Sequence, residues 1–454
     1  MCGISAWFGE NASEMVYSIL LEIQHRGHDA AGISFAKGGR LEVFGGSGFL
    51  WNAIDPLELD RSATLAIGHV RYSTSWSYAG AYQPVAGSGK KVAIAFNGNI
   101  VNFREASRKV IGRRGYAWDA KAFADILEKL YEEYGNLADA MKEASTVVEG
   151  SYSLVAISSK GEILVARDPR GMRPLAYSLD EKHLGVSSET AALSALGLGW
   201  RELERGSMIY CQQLGSCSKE TLGSSYEPAP CAFEYIYFLR PDSFFEGVNA
   251  HEARKRMGAK LAEKDGVEAD LVAPVPDSGR SAAIGYAIRR NLPFDEVIYR
   301  NRFSGRAFIS PPSLRREVLL KKFQAMRESI NNRKVVLVDD SIVRGDTSRH
   351  LVRLLKSAGA KEVHLRSAAP PIVSPCFFGI DMPTREELVA SSRRVEDVRR
   401  YVGADTIIYN TVDDIKEAIG RPVGISLCLA CFTSTYPIKV DIEALGTLFS
   451  RGRR

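Results

Sequence analysis

No apolar run in the 454 residues approaches the ~20 needed to span a bilayer. The N-terminus also lacks the basic and apolar regions of a secretory signal. Both absences lead us to expect a cytoplasmic protein with no membrane partner. Charge of one sign is scarce: 59 basic residues face 54 acidic ones, a net +5. That balance permits an anionic ligand, but it offers no clustered basic face for nucleic acid. There is no internal repeat or low-complexity tract. Cysteine is sparse, with seven in the chain. An odd set in a large chain argues against a disulfide framework and for metal-binding or catalytic use of some thiols.

What is present exceeds one hydrophobic core, so two domains are expected. The first half reads as short β-rich segments with two helical stretches, Glu14 to His25 and Ala120 to Tyr134, which carry apolar residues at helical spacing. Strand-like runs surround them: ATLAIGHVRY, KVAIAFNG, SYSLVAIS, EILVARD and HLGVSS. This predicts an α+β domain of sheets with helices on their outer faces. Around Ser216 to Pro230 the chain turns polar and turn-rich, and the boundary is set there, giving domains 2–229 and 230–454. From about Ala250, helix and strand alternate through ADLVAPVP, SGRSAAIGYAIRR, FDEVIYRN, KVVLVDD, TSRHLVRLLKSAG and KEVHLRSAAP. That order implies a parallel sheet with right-handed crossovers.

KVVLVDDSIVRGDTS, Lys334 to Ser348, is a buried strand ending in two carboxylates, then a small-residue turn entering a helix. Ligands of open α/β sheets bind beyond the carboxyl ends of the strands, and a helix N-terminus suits phosphate. Adjacent acids would repel a phosphate, so Asp339 and Asp340 suit sugar hydroxyls and Mg²⁺ instead. The bland alternative is a capped helix start with two solvated acids. The stretch resembles the phosphoribosylpyrophosphate (PRPP) motif of type I phosphoribosyltransferases. The resemblance implies that Asp339 and Asp340 hold the ribose and Mg²⁺. Ser341, Arg344, Gly345, Thr347 and Ser348 then belong to the 5′-phosphate loop. VPDSG, Val275 to Gly279, is similar to the pyrophosphate turn, with Asp277, Ser278 beside the metal, and Gly279. The basic stretch Arg300 to Phe323 would then be a lid that closes on PRPP, with Arg302 and Arg306 as contacts; the bland alternative is a solvated loop.

In the first half MCGIS, QHRGHDAAGI, GHVRYST, FNGNIVN and DPRGMRPL follow in order. Together they resemble the glutaminase domain of N-terminal-nucleophile (Ntn) amidotransferases, an αββα sandwich. The chemistry explains the residue types. Once Met1 is removed, the Cys2 thiol attacks the glutamine carboxamide while its own α-amine serves as base. The oxyanion needs preorganised donors, which the resemblance assigns to the Asn97 side chain and the Gly98 backbone N–H. By the same likeness Arg71 grips the glutamine α-carboxylate with its planar fork, Asp119 meets the α-amine, and Arg26 is counted with them. Taken singly, Asn97-Gly98 is simple turn chemistry and Arg71 a structural ion pair.

CLAC, Cys428 to Cys431, has the spacing of two thiolates on one metal centre and needs two further ligands. Cys231 and Cys376 are the candidates, with Zn²⁺ or buried inert thiols as alternatives. From Cys2 to about Pro437 the chain resembles the glutamine PRPP amidotransferase family. All four cysteines match the branch of it that binds a [4Fe–4S] cluster; Cys211 and Cys217 match nothing and read as ordinary thiols. The family implies that glutamine, PRPP and water yield 5-phosphoribosylamine, glutamate and pyrophosphate, the first committed step of purine synthesis. It also implies purine nucleotides as feedback inhibitors and a homotetramer. Other synthetases sharing the glutaminase half have no use for a PRPP motif. A PRPP-sensing regulator with a dead glutaminase is disfavoured by intact Cys2, Asn97, Gly98 and Arg71.

Overall fold

The computed structural model describes residues 1–72, 81–112, 115–223, 226–301, 322–382, 384–420 and 426–440. Two antiparallel sheets stack in the first half. One runs, in spatial order, Arg201–Glu202, Ala176–Leu179, Leu184–Ser187, Gly3–Phe8, Leu65–Arg71, Ala30–Lys37 and Arg40–Ser47. The other runs Cys217–Thr221, Ser207–Cys211, Ile163–Arg167, Gly150–Ser158, Val92–Ile100 and Val85–Ala86.

Side chains of a strand alternate between its faces, and the two central strands use this fully. Ile4, Ala6 and Phe8 point between the sheets, where they meet Ala93, Ala95 and Val155. Trp7 points outward to the helix Ala12–Glu22, whose Val16, Ile19 and Leu20 lie at i, i+3 and i+4. Val92, Ile94 and Phe96 point outward to the helix Asp119–Tyr134, with Phe123, Ile126 and Leu127. A slip of one residue would turn each apolar row to the wrong face, so the register is fixed. The layers are therefore helix, sheet, sheet, helix, as the Ntn likeness implies.

The sequence reading found two helices in this half; Phe103–Ile111, Leu137–Val147 and Thr190–Ala195 are additional. Leu137–Val147 is started by the Asn136 side chain accepting from the Asp139 N–H, a cap that propensity alone does not reveal. Cys211 and Cys217 are not ordinary thiols: they form a disulfide. They sit directly opposite each other at the end of an antiparallel hairpin, where side chains come within bonding reach.

The second half is built on a four-stranded, all-parallel sheet in the order Leu271–Pro274, Lys334–Asp339, Glu362–Ser367, Thr406–Tyr409. Val272, Val336 and Val338 face the helices Ala250–Glu263, Arg280–Arg290 and Val412–Ile419. Leu271, Val335 and Leu337 face Asp346–Ser357 and Val395–Val402 on the other side. FDEVIYRN meets this sheet at its start, where Phe294 bridges in parallel to Val272; Ile298–Arg300 then pairs antiparallel with Phe323–Ala325 in a separate hairpin. Val297 and Ile298 are buried while Phe294 and Tyr299 are exposed, which suits a half-covered segment rather than a strand buried on both faces.

The halves meet backbone to side chain. Asn99 Nδ2 donates to Phe377 O at 2.8 Å, and Ser151 Oγ to Phe378 O at 2.9 Å. Met1 is 1% exposed and packs among second-half side chains, including Cys231, Tyr235 and Phe432.

Candidate active sites

Cys2 enters the central strand Gly3–Phe8, on the side-chain parity of Ile4 and Ala6; Asn97 continues the row of Ala93 and Ala95. Both therefore lie at one inner end of the sandwich. The Cys2 N–H donates to Asn97 Oδ1 at 3.2 Å, and the thiol reaches Tyr72 O at 3.8 Å. Asn97 is 1% exposed, yet among the described residues its Nδ2 has no hydrogen-bond partner. A buried amide donor left unpaired is costly in a folded core, and this one lies on the residue that meets Cys2. Gly98 follows with φ +152°, and a Cβ there would fall 1.9 Å from Ser151 O, so only glycine fits the strand at that point.

Asp119 opens the helix Asp119–Tyr134 and accepts from the N–H groups of Ile100 (3.1 Å) and Ala120 (2.9 Å). Burial pushes its carboxyl up to about 6, against those bonds and the pull of Arg71. Arg71 closes the strand Leu65–Arg71, donates to Ala81 O and lies 5.7 Å from the Trp118 ring centre. An acid and a guanidinium within electrostatic reach of each other suit the two charged ends of an amino acid.

Arg26 is corrected by the structure. It is fully buried, and its Nε donates to Cys2 O at 2.9 Å. Nη1 donates to Glu189 at 2.6 Å, and Nη2 to both oxygens of Glu234 at 2.9 and 3.0 Å. A guanidinium committed to three protein acceptors braces Cys2 from behind and has no free fork to offer a substrate carboxylate.

The second centre lies beyond the carboxyl ends of the parallel strands. Asp339 and Asp340 are 5% and 6% exposed. Ser278 Oγ donates to Asp340 Oδ2, Ser341 Oγ to Oδ1 at 2.5 Å, and the Asp340 N–H to Asp339 Oδ1 at 2.9 Å. Burial, then the charge of Asp340, pushes the Asp339 carboxyl well up. Asp340 is also raised by burial, with Ser278, Ser341 and the Arg254 guanidinium opposing. Two desolvated acids side by side favour a cation or hydroxyl donors between them, so the residues fit Mg²⁺ and a ribose.

The turn Val275–Gly279 packs against this strand. The Cβ of any other residue at 279 would lie 2.4 Å from Val338 O, so the turn can approach only as glycine. Asp277 pairs with Arg300 at 3.2 Å and Arg280 at 3.6 Å. In the following loop Gly345 turns with φ +81° into the helix Asp346–Ser357, where Thr347 is exposed and Ser348 buried. Arg344 is held by Glu387 at 2.5 and 2.9 Å. Arg302 and Arg306 lie outside the described residues.

The four remaining cysteines converge on one region. The backbones of Cys231 and Cys428 pair in a parallel β-bridge, Cys376 and Cys428 border one small core, and Cys231 and Cys431 share another that Cys376 borders. Burial raises the Cys231 thiol to about 11 and lifts Cys428 and Cys431 as well, and neighbouring thiols add to each rise. Among the described residues, however, no group of three or more His, Cys, Asp or Glu side chains is drawn together to hold a metal ion.

Sequence reasoning missed Arg173, Glu189, Glu234 and Arg254, all fully or almost fully buried charges. FEYIYFLRPDS carried a signal for Glu234: an acid inside an apolar run is buried and needs a partner. Among the described residues no helix is long and apolar enough to cross a membrane.

An Ntn-type centre and a PRPP-type centre in one chain define an enzyme of the glutamine amidotransferase and pentosyltransferase type. More particularly, the chain belongs to the amidophosphoribosyltransferase family. It is 39% identical to the Bacillus subtilis amidophosphoribosyltransferase, over 97% of this chain and 94% of that one. It is 38% identical to the Archaeoglobus fulgidus enzyme, over 98% and 99%. The family model for a glutamine amidotransferase domain matches residues 55–220. In structure, the chain is similar to the B. subtilis glutamine PRPP amidotransferase complexed with ADP and GMP. The TM-score is 0.87 at 37% identity, covering 97% of this chain and 98% of that one.

Proposed function

We propose that Cys2 releases ammonia from glutamine and that the ammonia attacks C1 of PRPP held at Asp339 and Asp340. The observation that carries this reading is Asn97 Nδ2, a buried donor beside Cys2 without a partner among the described residues. In the first step the thiolate adds to the carboxamide carbon of glutamine, and the oxygen takes up negative charge facing Asn97 Nδ2 and the Gly98 N–H. Collapse hands the nitrogen the proton that the Cys2 α-amine took from the thiol, expelling ammonia and leaving a thioester; water then adds to it, releasing glutamate and restoring the thiol. Arg71 and Asp119 hold the α-carboxylate and α-amine meanwhile. In the second step ammonia displaces pyrophosphate from C1, giving 5-phosphoribosylamine. Mg²⁺, when bound by Asp339, Asp340 and the Ser278 hydroxyl, neutralises the departing pyrophosphate. Asp277 and Gly279 border that group, while Ser341, Arg344, Gly345, Thr347 and Ser348 hold the 5′-phosphate. Arg302 and Arg306 complete the reading as lid contacts.

Residues 2–229 form the glutaminase unit and 230–454 the phosphoribosyltransferase unit in this reading. Cys231, Cys376, Cys428 and Cys431 supply the soft donor set of a [4Fe–4S] cluster with a structural role; their convergence supports it. Anaerobically purified protein should be brown and contain iron and sulfide, and colourless, zinc-loaded, active protein would refute the cluster. The nucleotides in the similar B. subtilis structure support purine nucleotides as inhibitors here, and a homotetramer is the assembly we propose. The deciding experiment supplies glutamine or ammonia with PRPP and Mg²⁺ and follows pyrophosphate. Absence of pyrophosphate from both would refute the reading.

A further inference from the structure

Behind Cys2 lie four charged side chains that the chemistry above does not use: Arg26, Arg173, Glu189 and Glu234, all essentially without exposed surface. Glu189 accepts from Arg26 (2.6 Å), Ser243 Oγ (2.6 Å) and the Arg240 N–H (2.8 Å), and meets His25 at 2.8 Å. Glu234 accepts from Arg26 Nη2 through both oxygens and from Arg173 Nη1 at 3.3 Å. Arg173 also donates to Phe378 O. The chain of contacts thus runs from Cys2 O through Arg26, Glu234 and Arg173 to the second-half backbone.

Stability explains this group poorly, because buried ion pairs often contribute no more than apolar side chains of the same volume. Orientation explains it better. Arg26 has a planar fork, and a fork gripped by two carboxylates at fixed angles cannot rotate. Its remaining Nε then fixes the carbonyl of Cys2, one bond from the Cα that bears the thiol. Glu234 follows the boundary at residue 229, so one of the two grips on Arg26 comes from the other half of the molecule.

We propose that Glu234 is a positioning residue for the glutaminase nucleophile: it orients Arg26, which sets the Cys2 backbone, so the thiol is aimed only while the second half is docked. This rests on the reading of Cys2 as the nucleophile. The test uses full-length Glu234→Gln, measuring glutamate release with PRPP and Mg²⁺ present and, separately, synthesis from ammonia. Misplacing a reacting group by an ångström costs up to about a hundredfold, so kcat for glutamate release should fall by at least about tenfold. Glutamine KM should stay within about twofold, since the Arg71 and Asp119 grip is separate, and ammonia-dependent synthesis should be unchanged. The isosteric change leaves one buried arginine charge in excess, so the charge-balanced Glu234→Gln/Arg173→Gln is measured in parallel and decides if the single variant does not fold. Parent-like glutamate release in either variant overturns the proposal. So does a loss that lowers both activities in parallel, or one confined to KM, because each marks a merely structural part. No glutamate release by the parent protein would instead refute the Cys2 reading beneath it.

Discussion

The Cys2 N–H and the Asn97 side-chain oxygen meet at 3.2 Å across 95 positions of chain. The contact joins the central strands of the two stacked sheets at one end, so the proposed nucleophile and oxyanion donor are both placed by paired β-strands.

Cys2→Ala should abolish glutamine-dependent synthesis, by on the order of a thousandfold or more, because the bond-forming atom is gone. Ammonia-dependent synthesis should persist, since the acid pair belongs to the other half. Comparing pyrophosphate release with each nitrogen source checks this, and full glutamine-dependent activity in the variant would remove Cys2 from the mechanism.

Asn97→Ala should lower kcat for glutamate release by roughly 10²–10³ with little change in glutamine KM, as loss of one oxyanion donor does elsewhere. Equal losses in KM would instead mark Asn97 as a substrate-binding group.

Glutamine binding should weaken as pH falls through about 6. Asp119 is raised to about 6 by burial, so above that value it is ionised and attracts the α-ammonium, and below it the carboxyl is neutral. Glutamine KM measured from pH 5 to 8 should rise on the acid side, and Asp119→Asn should give a high KM without that step.

Asp339→Asn should abolish synthesis from both glutamine and ammonia, yet stabilise the metal-free protein at pH 8. The sign follows from burial and Asp340, which raise the Asp339 carboxyl in the folded state. A raised carboxyl adds its full stability below the ordinary carboxylate value and loses it as pH climbs from there towards the folded value, so at pH 8 it costs stability. Thermal unfolding without metal should therefore shift up by a few degrees, where each 1 kcal/mol is worth about 2–4 °C in domains of this size. The gain should shrink when Mg²⁺ is added. A lower melting temperature would show that the acid pair is not under strain.

Much of this was legible in the sequence because the informative residues are local. KVVLVDD shows strand, burial and acid pair in one stretch, and the strand Lys334–Asp339 runs as read. KVAIAFNG and SYSLVAIS read as strands and pair as neighbours, while the sandwich followed from the resemblance of the ordered motifs. What stayed hidden depends on partners far along the chain. Arg26 resembled a substrate ligand until Glu189 and Glu234, more than 160 positions away, were seen to hold it. Cys211 and Cys217 lacked a motif because their pairing comes from hairpin register, which their flanking residues do not announce. FDEVIYRN had the composition of a core strand, but Phe294 and Tyr299 are exposed and Ile298–Arg300 pairs outside the parallel sheet.

Burial of the first residue sets an order of events. In the finished fold Met1 is walled in by side chains of the second half, out of reach of any aminopeptidase. If the Cys2 amine is to be freed, a peptidase must act on the nascent chain, while those side chains are still unmade. A chain refolded from the full-length unprocessed form should keep its methionine, and intact-mass measurement of refolded against cell-made protein would show the difference.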